Sequence, residues 1–512
     1  MQNEVPEASA APPDRMSRSG RLRAHILSNK LFALFLAAGA VVRLVAVLGY
    51  PGALWFQGDT YVYIGAALRL QPNLSKTTGY SLYLKALEPF HSFTLVTITQ
   101  HLMGLAMAWM LYALLRRARV RSWIAALATV PILFNGFEIQ LEHMLMADTL
   151  FEFLMFTAAT VLLWHRRPSW IRVLIGGLIT GYAVTIWSGG LLIPVIFVLF
   201  VLWRRMGWRP LAAIVVGCAI PIVSYATWFH AVWGNFAMTN SEGFYLYGRV
   251  SSFADCAKIN PPADLRYLCI DTPVTKRTPP GSLVWHLKQT HEVPGGPVSI
   301  TGNKALRSFA IMAIEAQPVS YAHAVVRGVV LSVDWKRYDY PSYGTVYDYY
   351  FHTKAIWVPP DHTWIKGGTA TEDIRAYGHQ GIGRVVKPFD QLMSGYQRVF
   401  YLYGPLFGLI LVIGLGSLVR VYRRNGKFRL GRWRDGPSKM PWVCAVVLLV
   451  FPIMVADFDY RYVLPVVPFA CLAAGLAFSP PSSRRGPDED PAPEGAAAEV
   501  PGRAEVTTPQ PS

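Results

Sequence analysis

An aspartate stands just past the first long apolar run of this 512-residue chain. Residues 31–50 carry a single charge, Arg43, and lead into Pro51-Gly-Ala-Leu-Trp-Phe-Gln-Gly58-Asp59-Thr60-Tyr61. A carboxylate at the mouth of a membrane span has to be solvated, paired or bound to a ligand. Gly58 lets the backbone bend toward a partner, and Thr60, Tyr61 and Tyr63 add hydroxyls. Placed there, Asp59 can act as a general base toward a hydroxyl. The plain alternative is an N-cap for the helical run that follows.

A second group reads Asn135-Gly-Phe-Glu138-Ile-Gln-Leu-Glu142-His143-Met-Leu-Met-Ala-Asp148. Glu138 and Glu142 are four apart and share a face on a helix. His143 adds a titratable nitrogen or a metal ligand, and Asp148 falls at the edge of the next apolar run. The alternatives are a water-facing loop without a role for the two glutamates and an internal pair with Arg43 for Asp148. The third group is Asp457-Phe-Asp459-Tyr460-Arg461-Tyr462-Val-Leu-Pro465-Val-Val-Pro468, which opens the last apolar run. A guanidinium held at a membrane surface suits a phosphate, through its fixed charge and forked donors. The alternative is an arginine paired with Asp457 or Asp459, or snorkelling to lipid headgroups. Lys76, in Lys76-Thr-Thr-Gly79-Tyr80, is the second candidate cation for a phosphate.

The elements that must position these groups are membrane helices. The chain is 53% hydrophobic and 15% charged, against roughly 25% charged in soluble domains. Apolar runs fall at 31–50, 94–115, 122–140, 147–164, 171–187, 189–203, 211–230, 398–420, 441–456 and 462–478. The fold expected is all-α and polytopic, with about ten transmembrane helices. Net charge is +17, carried in bursts between apolar runs, which reads as positive-inside loops and not as a nucleic-acid surface. With the N-terminus inside, every basic burst falls on the cytoplasmic side. Segments 51–93, 138–146 and 231–397 then fall outside, with the turn near Asp457–Arg461. The pair 171–187 and 189–203, separated near Ser188-Gly189-Gly190, is the step that could invert this parity.

The expected organisation is a disordered basic N-terminus (1–30), seven spans with a first outer loop at 51–93 (31–230), and a large extracytoplasmic loop (231–397). Three further spans (398–478) and a disordered cytoplasmic tail (479–512) follow. Amphipathic juxtamembrane helices are expected near Tyr61–Leu70 and near Val319–Val333. Cys256 and Cys269, in the outer loop, form a disulfide if that loop faces an oxidising compartment, and otherwise are two free thiols. Cys218, Cys444 and Cys471 lie in apolar runs as packing residues. No phosphate-binding loop, dinucleotide fingerprint or serine nucleophile elbow is present, which argues against a nucleotide-driven pump.

The order of these features resembles the GT-C class of integral-membrane glycosyltransferases, among them protein O-mannosyltransferases, aminoarabinose transferases and mycobacterial arabinosyltransferases. The resemblance rests on an Asp in the first outer loop, a later Gly-Tyr, an acidic segment entering the fourth span, and Arg461-Tyr-x-x-Pro-x-x-Pro. It covers 31–230 and 398–478; within the large loop, Tyr247–Cys256 is similar to actinobacterial members. It implies transfer of a hexosyl or pentosyl group from a polyprenyl-phosphate donor to an acceptor hydroxyl on protein, lipid or glycan, outside a bacterial plasma membrane, with both termini cytoplasmic. Asp59 matches the first-loop acid, which acts as base or helps hold a divalent cation such as Mg or Mn. Glu142 or Asp148, flanking His143, matches the second acidic site that supports acceptor or metal, and Arg461 the position near the donor phosphate. Gly58 stands where many members have a second acid, and Lys76-Thr-Thr-Gly79 lacks the Pro-Pro often found before Gly-Tyr.

Chemistry alone points the same way. A lipid phosphate is already a good leaving group, so one base and cations for the departing phosphate suffice, with inversion. The competing reading is a transporter or flippase of a lipid-linked sugar, which commonly shows repeated halves and polar breaks at mid-membrane; no repeat is visible here. A scaffold whose outer loop binds a partner is the third.

Overall fold

A computed structural model describes residues 18–480 apart from 337–338, 356–357, 359–367, 379–382, 419–420, 425–426 and 431–437. The outermost tails, 1–17 and 481–512, lie outside the described residues. Helix Arg18–Gly49 begins within the segment 1–30 expected to be a disordered N-terminus, so its described residues 18–30 are helical. Once an apolar helix is nucleated, each added residue gains one backbone hydrogen bond, and the helix runs on into the basic segment.

Among the described residues each apolar run is mainly helical, some runs with a break. Phe93–Arg117 starts at Ser92, whose hydroxyl accepts from the Leu95 amide, and ends on Arg116 and Arg117, which suit the negative helix end. Trp170–Ile186 and Trp208–Trp233 pack at backbone contact: a Cβ on Gly177 would come within 3.0 Å of the Gly217 Cα. Small residues at helix crossings allow this closeness in membrane bundles. Ile186 and Ile193 end and begin separate helices joined through Ser188–Gly190. Among the described residues three helices are long and apolar enough to cross a bilayer, Asn29–Gly49, Phe93–Arg117 and Trp208–Trp233. Two pairs bent by 56° add one each if taken as single spans, Ser122–Phe134 with Gly136–Glu142 and Phe389–Val399 with Gly404–Leu418. The remaining apolar helices are shorter.

The first bend has an identifiable cause. Asn135 is extended (ψ 112°) and turns its side-chain oxygen to the amides of Phe137 and Leu402. The break frees carbonyls on the preceding turn, and Arg43 from the first helix donates to those of Ile132 and Leu133. An intramembrane guanidinium and a broken helix thus satisfy each other.

The segments expected to lie outside depart from expectation in one respect. Helix Thr60–Arg69 does not lie half-exposed as an amphipathic surface helix; Thr60 to Ala67 are buried. Helix Ala370–Tyr377 covers it, tied by a two-pronged Arg69–Asp373 ion pair (2.9 and 2.6 Å). Helix Pro318–Val333 packs on Gly404–Leu418 and Lys439–Val455 and leaves Val319, Val326 and Val330 outward. Between these parts a helical lobe forms its own core around Phe244, Tyr247, Leu306 and Phe309. Cys256 and Cys269 are joined there by a disulfide. The basic segment after Leu418 contains an antiparallel hairpin, Val421–Arg424 with Lys427–Leu430.

Candidate active site

Asp59 is placed by main-chain pairing between the segment around Leu54 and the end of the bent helix. Leu54 donates to the His143 carbonyl and accepts from the Leu145 amide. The Thr60 hydroxyl donates to the Leu145 carbonyl and accepts from the Phe56 amide. Asp59 occupies the N-cap position of Thr60–Arg69, yet its side chain makes no cap hydrogen bond. It is spent on two cations instead. Lys76 Nζ lies 2.6 Å from Oδ1, and Arg461 Nη1 donates to Oδ2 at 2.7 Å, across 402 residues of sequence.

Each cation is held by its own local chemistry. The Asn73 side chain accepts from the amides of Ser75 and Lys76, forming a turn that presents Lys76. Ser241, at the start of the lobe that holds Phe244 and Tyr247, donates to the Ser75 carbonyl and braces that turn. The Arg461 guanidinium sits 5.3 Å from the rings of both Phe56 and Tyr462, a cation–π arrangement. Its amide donates to Asp459 Oδ1, while Tyr349 donates to Asp459 Oδ2 (2.9 Å). Phe56 and Tyr349 stack in turn, 5.3 Å apart and nearly parallel.

Asp59 is 4% exposed. Burial works to raise its carboxyl, and Lys76 and Arg461 together outweigh it, leaving Asp59 at about 2. For Lys76 burial works downward and Asp59 prevails, holding the ammonium above its ordinary value. Asp459 is pushed up by burial against the pull of Arg461. Asp148, in the first turn of Ala147–Leu163, is buried within electrostatic reach of Arg461, Asp59, Asp459 and Lys76. Among the described residues none donates a hydrogen bond to its carboxylate.

Asp59, Lys76, Arg461 and Asp148 are therefore brought together, and Glu142 and His143 are not part of that cluster. Glu142 is fully buried and takes a two-pronged hydrogen bond from Arg43 (2.8 and 2.6 Å). It also meets His101 Nδ1 at 2.7 Å; His101 Nε2 meets His143 Nδ1 at 2.9 Å, and His143 Nε2 meets the Tyr50 carbonyl at 2.8 Å. The internal partner of Arg43 is thus Glu142 and not Asp148. Gly104 makes room for the pair, since a Cβ there would fall 1.9 Å from Glu142 Oε1. Glu138 is buried, not water-facing. Asp457 does not pair with Arg461 but anchors the helical lobe, accepting from Arg249, Tyr340 and the Gly281 amide (2.8 Å each).

Tyr349, Phe56 and His101 escaped sequence reasoning. A histidine inside an apolar helix was the one signal on offer; nothing local to Tyr349 marks it as a partner of Asp459. Beside Arg461, the rings of Phe137, Tyr349 and Tyr460 form a wall shared by two hollows. The larger is open to solvent and is also lined by Trp335, Tyr340 and Tyr401.

The residues do not fit a divalent cation. Among the described residues no three His, Cys, Asp or Glu side chains are grouped to hold one. Both oxygens of Asp59 already face cations, and both of Asp459 accept hydrogen bonds.

No protein-family model and no curated protein matches the chain. Among solved structures it is similar to the Saccharomyces cerevisiae protein O-mannosyltransferase Pmt1–Pmt2 complex bound to the sugar donor, with 14% identity, TM-score 0.31, and 44% of this chain and 36% of that one covered. It is similar to the Archaeoglobus fulgidus oligosaccharyltransferase tethered with an acceptor peptide, with 10% identity, TM-score 0.39, and 86% and 49% covered. It is also similar to ArnT from Cupriavidus metallidurans bound to undecaprenyl phosphate, with 13% identity, TM-score 0.34, and 87% and 77% covered. The chain spans about a third and about half of the first two proteins' lengths. Likeness at this level carries no function with it.

Proposed function

We propose that the chain is a membrane glycosyltransferase that moves a hexosyl or pentosyl group from a polyprenyl phosphate to an acceptor hydroxyl. The observation that carries the proposal is the meeting of Asp59, Lys76 and Arg461, from chain ends far apart, in one buried ion-paired cluster. A buried carboxylate with two fixed cations is what phosphate departure and hydroxyl deprotonation require together.

At rest Asp59 is a weak base, because Lys76 and Arg461 stabilise its charge. A donor phosphate that draws those cations to itself weakens this hold and raises the proton affinity of Asp59. The acceptor oxygen then attacks the anomeric carbon, the bond from that carbon to the phosphate oxygen breaks, and the acceptor proton passes to Asp59. Polyprenyl phosphate leaves with the electron pair, its charge met by Lys76 and Arg461. One displacement gives inversion. Asp148, the carboxylate without a hydrogen-bond donor, adjoins this centre and supports the acceptor. The ten helical apolar runs act as ten crossings, with both termini in the cytoplasm of a bacterial cell and the site on the outer face. Basic bursts between runs support that sidedness.

The test is transfer itself. Purified protein in proteoliposomes is given polyprenyl-phosphate sugars labelled in the sugar, with cell-envelope glycans, glycolipids and peptides as acceptors. Label in an acceptor with inverted linkage is expected; label that crosses the bilayer still lipid-linked, with no transfer, contradicts the proposal.

A further inference from the structure

We infer that the phosphate is bound here without a divalent cation, the Lys76 ammonium and Arg461 guanidinium standing where a metal would bridge Asp59 to it. The inference rests on reading this cluster as a donor-phosphate site.

Hard divalent cations take about six or more oxygen ligands at roughly 2.0–2.6 Å, with carboxylates leading. Asp59 would be the natural first ligand, but its two oxygens meet Lys76 Nζ at 2.6 Å and Arg461 Nη1 at 2.7 Å. Asp459 is nearby and equally committed, to Tyr349 and to the Arg461 amide. Asp148 is the one carboxylate of the group without a donor, and a single carboxylate does not make a cage. His143 is not available either, being held between His101 and the Tyr50 carbonyl.

The two organic cations are also built in. Lys76 is presented by the Asn73 turn, with its side chain 15% exposed. Arg461 lies 5.3 Å from the ring centres of both Phe56 and Tyr462. An incoming metal would have to displace both, against their charge. A phosphate oxygen, in contrast, can accept from the same Nζ and Nη1 that now serve Asp59, so these cations change partner with little movement.

The experiment measures binding of undecaprenyl phosphate to the purified full-length protein in detergent, after EDTA treatment and again with added Mg²⁺ or Mn²⁺. Elemental analysis for bound metal runs alongside. Equal affinity in all conditions is expected, with no divalent ion retained. Lys76→Ala should weaken binding about tenfold to a hundredfold, the loss of a hydrogen bond to a charged group, with no restoration by either metal; Lys76→Arg should keep most of it. Binding lost on EDTA and regained with Mg²⁺ or Mn²⁺ overturns the inference, as does a divalent ion retained by wild type and lost in Asp59→Asn. If undecaprenyl phosphate binds under no condition, the donor-phosphate reading fails, and the elemental analysis still decides the question of the metal.

Discussion

Replacing Glu142 by alanine removes the carboxylate ion-paired with Arg43, deep among the helices. Arg43 is 2% exposed, and its remaining acceptors are the carbonyls of Gly39, Ile132 and Leu133. Breaking a buried ion pair from one side costs about 3–5 kcal/mol, because an uncompensated charge stays behind. Replacing both partners by leucine removes that penalty, so Arg43→Leu with Glu142→Leu should recover most of the loss. Gly104→Ala offers an independent approach to the same contact: its new methyl would fall 1.9 Å from Glu142 Oε1 and 2.9 Å from Arg43 Nη2. Overpacking of this kind costs about 1–3 kcal/mol. The assay is thermal unfolding in detergent, followed by sugar transfer per folded molecule. Glu142→Ala should unfold at a clearly lower temperature, the double leucine variant should regain most of the difference, and folded Glu142→Ala should still transfer. An unchanged unfolding temperature with transfer abolished would refute the reasoning and return Glu142 to the reacting centre.

Other outcomes follow from the same contacts. Arg461→Lys keeps the charge but loses the fork and the ring contacts, so the donor KM should rise about tenfold or more, read from initial rates. Asp59 is held at about 2, below its ordinary 3.8. A lowered carboxyl stabilises the fold above the unfolded value, and that contribution, on the order of 2 kcal/mol, is lost as pH falls toward 2. Acid unfolding of Asp59→Asn should lack that component, and an identical pH profile would contradict the ion pairs. Cys256→Ser opens a disulfide spanning 13 residues, which should cost the helical lobe about 3 kcal/mol, measured as faster proteolysis of that lobe.

The helical character of the chain could be read from composition, because apolar runs with so few charges and breakers favour helix, whereas three helices, or five counting the bent pairs, are long and apolar enough to cross a bilayer among the described residues. The bend at Asn135 could not: a helix pattern continues across it, and its cause is a pair of amides on another segment and a guanidinium on a third. The hairpin Val421–Leu430 carried a local signal, Asn425-Gly426 between β-prone residues, which the surrounding run of basic charge obscured. Asp59 and Arg461 stood out as charges at the edges of apolar runs, but their meeting followed only from sidedness, the family resemblance and the needs of the chemistry, with nothing local to mark it. Glu142 and Asp148 looked interchangeable by spacing. Tertiary packing separates them, since Arg43 reaches the first and, among the described residues, nothing donates a hydrogen bond to the second. Helix Thr60–Arg69 was read as a surface helix because its cover, Ala370–Tyr377, comes from far along the chain.

The most direct measurement is single-turnover transfer of a labelled sugar from its polyprenyl phosphate by wild type and Asp59→Asn, both shown to be folded and to bind the lipid phosphate. Loss of transfer by about a hundredfold or more with binding retained is the outcome expected for a removed base. Equal rates in the two proteins would contradict the assignment of Asp59 and, with it, the chemistry built on its meeting with Arg461.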